Sequence, residues 1–236
     1  MSYSYSKISR YQRCPRSFYY HYIEQIKVPF QDTPIFEKGR YIHHIIEHYP
    51  NLPNFEFKFK ESLDQKDFYL KNILEFIKTN KKMNALLSPE MSRLREKTFF
   101  IDNEFHEVDT KEQALFEGTI DYIGEHKNTI ILVDWKTGQS QKYASLDQLK
   151  FYSLYIFNKF PDINNLKVML FFVEQDKRKI ESIDRIQYED IKLKYLNIVK
   201  EIENDNQYIR KKSQDCINCE FYNNCKPFNI KLTKEN

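Results

Sequence analysis

Two acidic residues and a lysine lie on neighbouring predicted strands. Thr129–Val133 is a run of β-branched and apolar residues, which predicts a buried strand that continues into Asp134, Trp135 and Lys136. Because side chains alternate along a strand, Asp134 and Lys136 point to one face and Trp135 to the other. Asp121 lies on the preceding strand, so a hairpin would bring its carboxylate close to that of Asp134. Two such carboxylates suit a hard divalent cation and the water that it activates.

Further candidate groups come from other segments of the chain. The carbonyl oxygen of Trp135 could add an oxygen ligand, and His43, on a predicted helix, could add a nitrogen that favours Mn²⁺ over Mg²⁺. Lys136 would orient the water or stabilise charge that develops on a phosphate, and Gln148 would position the water or the strand backbone. The set predicts hydrolysis of a phosphodiester. The alternative is a surface hairpin that carries a lysine–aspartate pair.

Two predicted helices carry polar side chains at four-residue spacing. Gln148 and Tyr152, on the helix predicted at Ser145–Asn158, share one face. His44 and His48 also lie four residues apart on one predicted helix, a spacing that could bind a metal by itself. We expect both histidine side chains to face solvent.

The cysteines form a second candidate metal site. Cys216, Cys219 and Cys225 follow the spacing C-x2-C-x5-C, and Cys14 is the only other cysteine of the chain. Four thiolates would complete one closed site that joins the two ends of the chain. The distant fourth ligand and the proline that follows Cys225 after one residue favour an iron–sulfur cluster. Zinc is the alternative.

Composition limits the class of protein. The 236 residues are 41% apolar and 30% charged, which is enough apolar sequence for a core, and the net charge of +3 is too small to indicate nucleic-acid binding by itself. The sequence has no apolar run of membrane-spanning length and no signal-peptide h-region at its start. We therefore expect an intracellular, cytoplasmic protein without membrane association, in which cysteines bind metal more often than they form disulfides.

The order of the predicted elements favours a mixed α/β fold. Thr98–Val108, Ala114–Ile123 and Thr129–Val133 predict an antiparallel meander, with Glu104 in the middle of its first strand. Leu166–Glu174 predicts a buried strand beside this hairpin, and Tyr188–Asp205 predicts an amphipathic helix.

Six motifs in this order resemble RecB-like nucleases of the PD-(D/E)XK superfamily. They are SKISRYQRCPRSFYY, GRYIH, EGTID, VDWKTG, QLKFY and the terminal three-cysteine loop. The chain is most similar to the branch with a C-terminal iron–sulfur cluster, which includes the CRISPR-adaptation nuclease and the nuclease domain of AddB-type helicase–nucleases.

This resemblance implies a restriction-endonuclease-like core, in which helices flank a mixed central sheet. It implies Mg²⁺ or Mn²⁺ bound by His43, Asp121 and Asp134, a catalytic Lys136, and a Q-x-x-x-Y helix. The Q-x-x-x-Y positions are Gln148 and Tyr152, and the implied [4Fe–4S] ligands are Cys14, Cys216, Cys219 and Cys225. Glu104 and Glu117 match no required position and could at most support the ligands.

The resemblance also implies an organisation and a substrate. We expect N-terminal helices with the first cluster ligand at 1–28, a helical region with the histidine motif at 29–97, the nuclease core at 98–205 and the cysteine segment at 206–236, all within one compact unit. The predicted function is a metal-dependent DNA nuclease, an exonuclease on single-stranded ends, with a helicase or CRISPR-adaptation protein as partner. The alternatives are a catalytically silent DNA- or partner-binding module of the same fold and a zinc-stabilised interaction protein.

Overall fold

The computed structural model describes residues 1–29, 33–49, 66–137 and 144–225 of the chain. Residues 30–32 and 50–65 of the predicted helical region, and Gly138 of the VDWKTG motif, lie outside these residues. The described strands are β1 (Tyr3–Ser4), β2 (Ser92–Ile101), β3 (Phe116–His126), β4 (Thr129–Lys136), β5 (Asn165–Phe172) and β6 (Lys177–Asp184). The described α-helices are α1 (Tyr5–Arg13), α2 (Pro15–Phe18), α3 (Pro34–His48), α4 (Lys66–Thr79), α5 (Lys81–Leu87), α6 (Asp147–Lys159), α7 (Tyr188–Asn204) and α8 (Tyr222–Cys225).

The chain divides into two compact units. The first contains Met1–Ser2 and Asp32–Leu193, and the second contains Tyr3–Gln31 and Lys194–Asn236. No helix among the described residues is both long enough and apolar enough to span a bilayer.

A mixed sheet forms the centre of the first unit. Its strands follow the order β2–β3–β4–β5–β6, with antiparallel pairs except for the parallel pair β4–β5. Helices flank this sheet, so the predicted mixed α/β architecture is confirmed. The antiparallel meander and the strand beside the hairpin were both expected from the sequence.

The first strand of the meander lies earlier than predicted. It starts at Ser92 and ends at Ile101, so Glu104 lies in a turn and not within a strand. The side chain of Asp102 causes this, because its Oδ1 accepts hydrogen bonds of 2.9 Å from the amides of Glu104 and His106. Such local side-chain bonds compete with strand pairing. Phe105 between them has a φ of 70°, which also ends the extended backbone.

The helices α3, α4 and α5 cover part of the sheet through a buried apolar cluster. Trp135 of β4 and Phe171 of β5 belong to this cluster, and their rings lie 5.6 Å apart. Ile42 and Ile45 of α3 pack in the same cluster. Because residues of β4 alternate between faces, the side chains next to Trp135 point away from this cluster.

Helix α6 packs on β2 and β3 through aromatic side chains. Phe99 of β2 contacts Tyr152 edge-on at 5.6 Å and stacks on Tyr155 at 4.6 Å. Phe116 of β3 contacts Phe151 edge-on at 5.4 Å. Buried aromatic pairs of this kind contribute about 0.5–1.5 kcal/mol each beyond their buried area. They fix the height and rotation of α6 over the sheet.

The second unit contains the helices nearest the N-terminus. Cys14 has an extended backbone, with φ −160° and ψ 107°, where α1 ends and α2 begins at Pro15. A residue before proline avoids the helical region, which explains the junction. The second helix has four residues and is followed by a π-helix, Tyr19–Ile23. Phe18 is buried there between Tyr11, at 5.6 Å, and Tyr208, at 6.3 Å.

Candidate metal centre

The β3–β4 hairpin brings the two predicted aspartates together. Tyr122 pairs with Val133, so Asp121 and Asp134 are the next residues on the two strands. The main-chain amide of Trp135 donates a hydrogen bond of 2.9 Å to Oδ2 of Asp121. Asp134 is only 5% exposed. Two carboxylates therefore occupy a mostly buried position where the ladder ends.

His43 reaches the same point from α3. Its Nε2 lies 2.7 Å from the carbonyl oxygen of Trp135, and its Nδ1 lies 3.5 Å from Oδ2 of Asp121. Helix α3 can approach the strand end because residue 39 is glycine: a Cβ there would lie 3.1 Å from Oγ1 of Thr137. The structure thus places an imidazole nitrogen and a main-chain carbonyl oxygen beside the aspartates.

Lys136 lies beside Asp134, as the alternation along β4 requires. Its Nζ is 2.5 Å from Oδ2 of Asp134, a buried oxygen, so the two groups form an ion pair. The lysine side chain is 37% exposed. One ammonium group therefore compensates the buried carboxylate and still reaches solvent.

Glu96 is the residue that the sequence reasoning missed. It lies on β2 between Arg95 and Lys97, which pair with Tyr122 and Ile120, so it stands opposite Asp121. Its Oε1 lies 4.0 Å from Nδ1 of His43. The predicted first strand began at Thr98, which left Glu96 outside the meander. A predicted strand that began two residues earlier, at Glu96, would have placed this side chain opposite Asp121.

The backbone of Glu96 is unusual for its residue type. Its φ is 47°, in the left-handed region that costs a non-glycine residue about 1 kcal/mol or more. Backbone strain of this kind persists where the surrounding structure imposes it, and it concentrates at functional sites.

The donor atoms of this group suit a divalent cation. One atom each from His43, Glu96 and Asp121 lies within 4.8 Å of the other two. Carboxylate oxygens are the preferred ligands of Mg²⁺ and Mn²⁺, and one imidazole shifts the preference towards Mn²⁺. The residues present therefore fit a divalent metal.

The electrostatics of the carboxylates also fit a cation. Burial and the nearby charge of Asp134 raise the pKa of Asp121 to about 6. Burial and the charges of Asp121, Glu47 and Asp134 raise the pKa of Glu96 to about 7. Crowded carboxyl groups favour their neutral forms until a positive charge is placed among them.

Gln148 and Tyr152 form one unit on α6. The amide of Gln148 donates a hydrogen bond of 2.7 Å to the Tyr152 hydroxyl. Burial raises the pKa of Tyr152 to about 12, and the charges of Asp121 and Asp134 act in the same direction. The Tyr152 ring packs against Gly118, where a larger residue would not fit: a Cβ at position 118 would lie 2.6 Å from Cε1 of Tyr152.

The four cysteines line one cavity in the second unit. This cavity of about 380 Å³ is also lined by basic and aromatic side chains, including Arg10, Arg13, Arg16 and Tyr20. The amide of Ser213 lies 3.5 Å from Sγ of Cys216. Within the described part of the chain, no three thiol sulfurs lie within 4.8 Å of one another.

Comparisons with known proteins give a family match and two likenesses of fold. A family model for the PD-(D/E)XK nuclease superfamily matches residues 2–226. No curated protein matches the chain. Among solved structures, a candidate exonuclease from Eubacterium rectale is 11% identical with a TM-score of 0.50, over 91% of this chain and 90% of that chain. The protein SSO0001 is 14% identical with a TM-score of 0.38, over 91% and 82% of the two chains.

Proposed function

We propose a reaction for this chain from one premise: the chain belongs to the PD-(D/E)XK nuclease superfamily, whose model spans residues 2–226. The reaction is hydrolysis of DNA phosphodiester bonds at the junction of α3, β3 and β4. The observation that carries this proposal is the convergence of His43, Asp121, Asp134 and Lys136 on that junction.

The metal ligands in this proposal are His43, Asp121, Asp134 and the carbonyl oxygen of Trp135. A bound Mg²⁺ or Mn²⁺ would supply Lewis-acid chemistry at the phosphate. The chain itself holds these groups in place: the Trp135 amide bonds to Asp121, and His43 touches the Trp135 carbonyl. We assign Glu96 as a further ligand or as an acceptor for the proton of the attacking water, because it lies within reach of His43 and Asp121.

Lys136 is proposed as the catalytic cation. Its ammonium group lies 2.5 Å from Asp134 and is partly open to solvent, where a phosphate could approach. A fixed positive charge at this place stabilises the negative charge that develops on phosphate oxygens in the transition state.

Gln148 and Tyr152 are proposed as positioning residues. The Gln148 amide donates a hydrogen bond of 2.7 Å to the tyrosine hydroxyl, which joins the two side chains. Together the two side chains support the sheet beneath the aspartates and, with a bound strand, would contact its backbone.

We further propose that the chain resembles RecB-like enzymes in its substrate and acts as an exonuclease on single-stranded DNA ends. The motif order supports this branch, and the likeness to a candidate exonuclease supports the fold on which it rests. A helicase or CRISPR-adaptation protein as partner is part of the same proposal, since single-stranded ends must be generated by another activity.

The second unit is proposed to bind a [4Fe–4S] cluster through Cys14, Cys216, Cys219 and Cys225. All four line one cavity. A single zinc ion would bind the same four thiolates through Zn–S bonds of about 2.3 Å, whereas a cubane binds each thiolate on a different iron. Absorbance in the visible region and one cluster per chain are expected, and stoichiometric zinc in an anaerobically purified, colourless protein would contradict the assignment.

The nuclease proposal is tested with end-labelled single- and double-stranded DNA in Mg²⁺ or Mn²⁺. Asp134→Asn is expected to reduce cleavage by roughly a thousandfold while DNA binding and the melting temperature are retained. Asp109→Asn, at an exposed turn position, is the matched control. Wild-type protein that binds DNA without cutting it would instead favour the silent binding module, and full activity of Asp134→Asn would remove this site from the reaction.

A further inference from the structure

Three polar side chains on α3 form a cluster beside the candidate metal centre. Nδ1 of His44 and Nδ1 of His48 each lie 3.4 Å from the same carboxylate oxygen, Oε2 of Glu47. The two imidazole rings are 4.0 Å apart between centroids. One helical turn therefore brings two imidazoles and a carboxylate within 4.8 Å of one another.

The burial of this cluster corrects the expectation that both histidines face solvent. The side chain of His44 is only 16% exposed, whereas that of His48 is 37% exposed. The group is thus half-buried, with one side held by the protein and the other open to solvent.

The surrounding contacts hold the helix end that carries this cluster. The guanidinium of Arg95 donates hydrogen bonds of 3.0 Å and 3.1 Å to the carbonyl oxygens of Ile46 and Glu47. Nδ1 of His48 also lies 3.0 Å from the carbonyl oxygen of His44. These bonds fix the last turn of α3, so a cation would meet ligands that are already in place.

The neighbouring arginines are directed to other groups. Arg95 bonds to main-chain carbonyls, and Arg93 pairs with Glu125 at 3.0 Å. The carboxylate of Glu47 lies between two imidazoles, which are good metal ligands in their neutral form. Two nitrogens and one carboxylate oxygen suit Zn²⁺, Co²⁺, Ni²⁺ or Cu²⁺ better than Mg²⁺ or Ca²⁺.

We propose that His44, Glu47 and His48 form a second metal site, which binds a zinc-class transition-metal ion through two imidazoles and one carboxylate. The site is separate from the candidate metal centre, which uses His43, and it does not depend on the proposed nuclease activity. Three protein ligands leave the fourth position of a tetrahedral ion to solvent.

The test is calorimetric titration of Zn²⁺ into the full-length protein. All proteins carry Asp121→Asn, which disables the candidate metal centre, and all retain their cysteines, so differences report only on α3. His44→Ala/His48→Ala is expected to lose one zinc site. His48→Ala alone, at the more exposed histidine, is expected to weaken that site by about 10- to 100-fold without affecting the fold.

His106→Ala is the matched control. His106 is 67% exposed and lies 3.9 Å from Asp102 and 3.7 Å from Glu104, so it is also a histidine near carboxylates. It should not change zinc binding. Unchanged zinc stoichiometry and affinity in both His44→Ala/His48→Ala and His48→Ala would overturn the proposal, and so would equal losses in the His106→Ala control.

A second readout separates ligation from a general change in the helix. Nitrogen-15 spectra of histidine-labelled protein should show two ring signals that move with Zn²⁺ and are missing from the double variant. Movement of His106 or His126 signals alone would place the zinc elsewhere and contradict the assignment. Circular dichroism melts establish that each variant is folded before it is titrated.

Discussion

Nε2 of His43 lies 2.7 Å from the carbonyl oxygen of Trp135, and this contact joins α3 to the end of β4. In a metal-free chain it is a hydrogen bond that Nε2 donates, which leaves Nδ1 directed at Asp121, 3.5 Å away. Both atoms of the short contact are potential metal ligands. This contact therefore places two donor atoms side by side, where one cation can bind both.

Glu96→Gln should weaken Mn²⁺ binding by about 10-fold, because the change removes one negative oxygen from a group whose donor atoms lie within 4.8 Å of each other. Mn²⁺ titrations followed by electron paramagnetic resonance measure this directly. Glu104→Gln is the control, since that side chain is 73% exposed in a turn. Equal Mn²⁺ affinities in the wild type and Glu96→Gln would show that Glu96 is not a ligand.

The metal-free protein should lose stability as the pH rises towards neutrality. The folded-state pKa values of Asp121, about 6, and Glu96, about 7, lie above the ordinary values of 3.8 and 4.5. The folded chain therefore binds more protons than the unfolded chain across this range, so these groups lower the free energy of unfolding as pH increases.

A divalent cation should reverse this trend, because it replaces the protons among the carboxylates. The rise in melting temperature produced by Mn²⁺ over a chelator is expected to grow between about pH 5 and about pH 8, as Glu96 and Asp121 lose their protons. Differential scanning calorimetry of the wild type and Asp121→Asn measures it. A stabilisation by Mn²⁺ that is independent of pH would show that these carboxyls do not hold the metal.

Lys136→Gln should lower the rate of DNA cleavage by roughly 10²- to 10³-fold while Mn²⁺ binding is retained, because the ammonium group acts on the phosphate and is not a metal ligand. Single-turnover rates at saturating Mn²⁺ separate the two effects. Lys127→Gln, in the exposed β3–β4 turn, is the control and should cleave like the wild type. A parallel loss of Mn²⁺ affinity in Lys136→Gln would point to a structural role instead.

Gly118→Ala should destabilise the first unit and reduce activity, because its Cβ would lie 2.6 Å from Tyr152 and 2.8 Å from Phe99. Overpacking of this kind costs about 1–3 kcal/mol. Chemical denaturation measures the loss. In the double variant Gly118→Ala/Tyr152→Leu, the smaller side chain should relieve part of the clash, so additive losses would contradict this account.

The two aspartates illustrate what local sequence could predict. The apolar run at Thr129–Val133 predicted a strand. Because side chains alternate between the two faces of a strand, Asp134 and Lys136 were then expected on one face. A short polar connection to the preceding strand brought Asp121 alongside. These relationships follow from strand geometry over a short stretch of chain. The family motifs added His43, Gln148 and Tyr152, which lie on helices, to the predicted site.

Glu96 and the cluster of His44, Glu47 and His48 show what the sequence did not reveal. The glutamate became visible only when the register of β2 against β3 placed it opposite Asp121. The burial of His44, which is only 16% exposed, is set by the folded environment of α3 and not by a local pattern.

The sequence by itself determined the mixed α/β fold, the alternation that places Asp134 and Lys136 on one face of a strand, and the types of side chain available for metal binding, because periodicity and residue chemistry are local properties. Tertiary structure decided which of those side chains meet. Strand register, the approach of α3 to Trp135 and the raised pKa values of Asp121 and Glu96 all arise from contacts between residues far apart in the chain. Burial and charge proximity follow from the folded arrangement, and no local pattern specifies them.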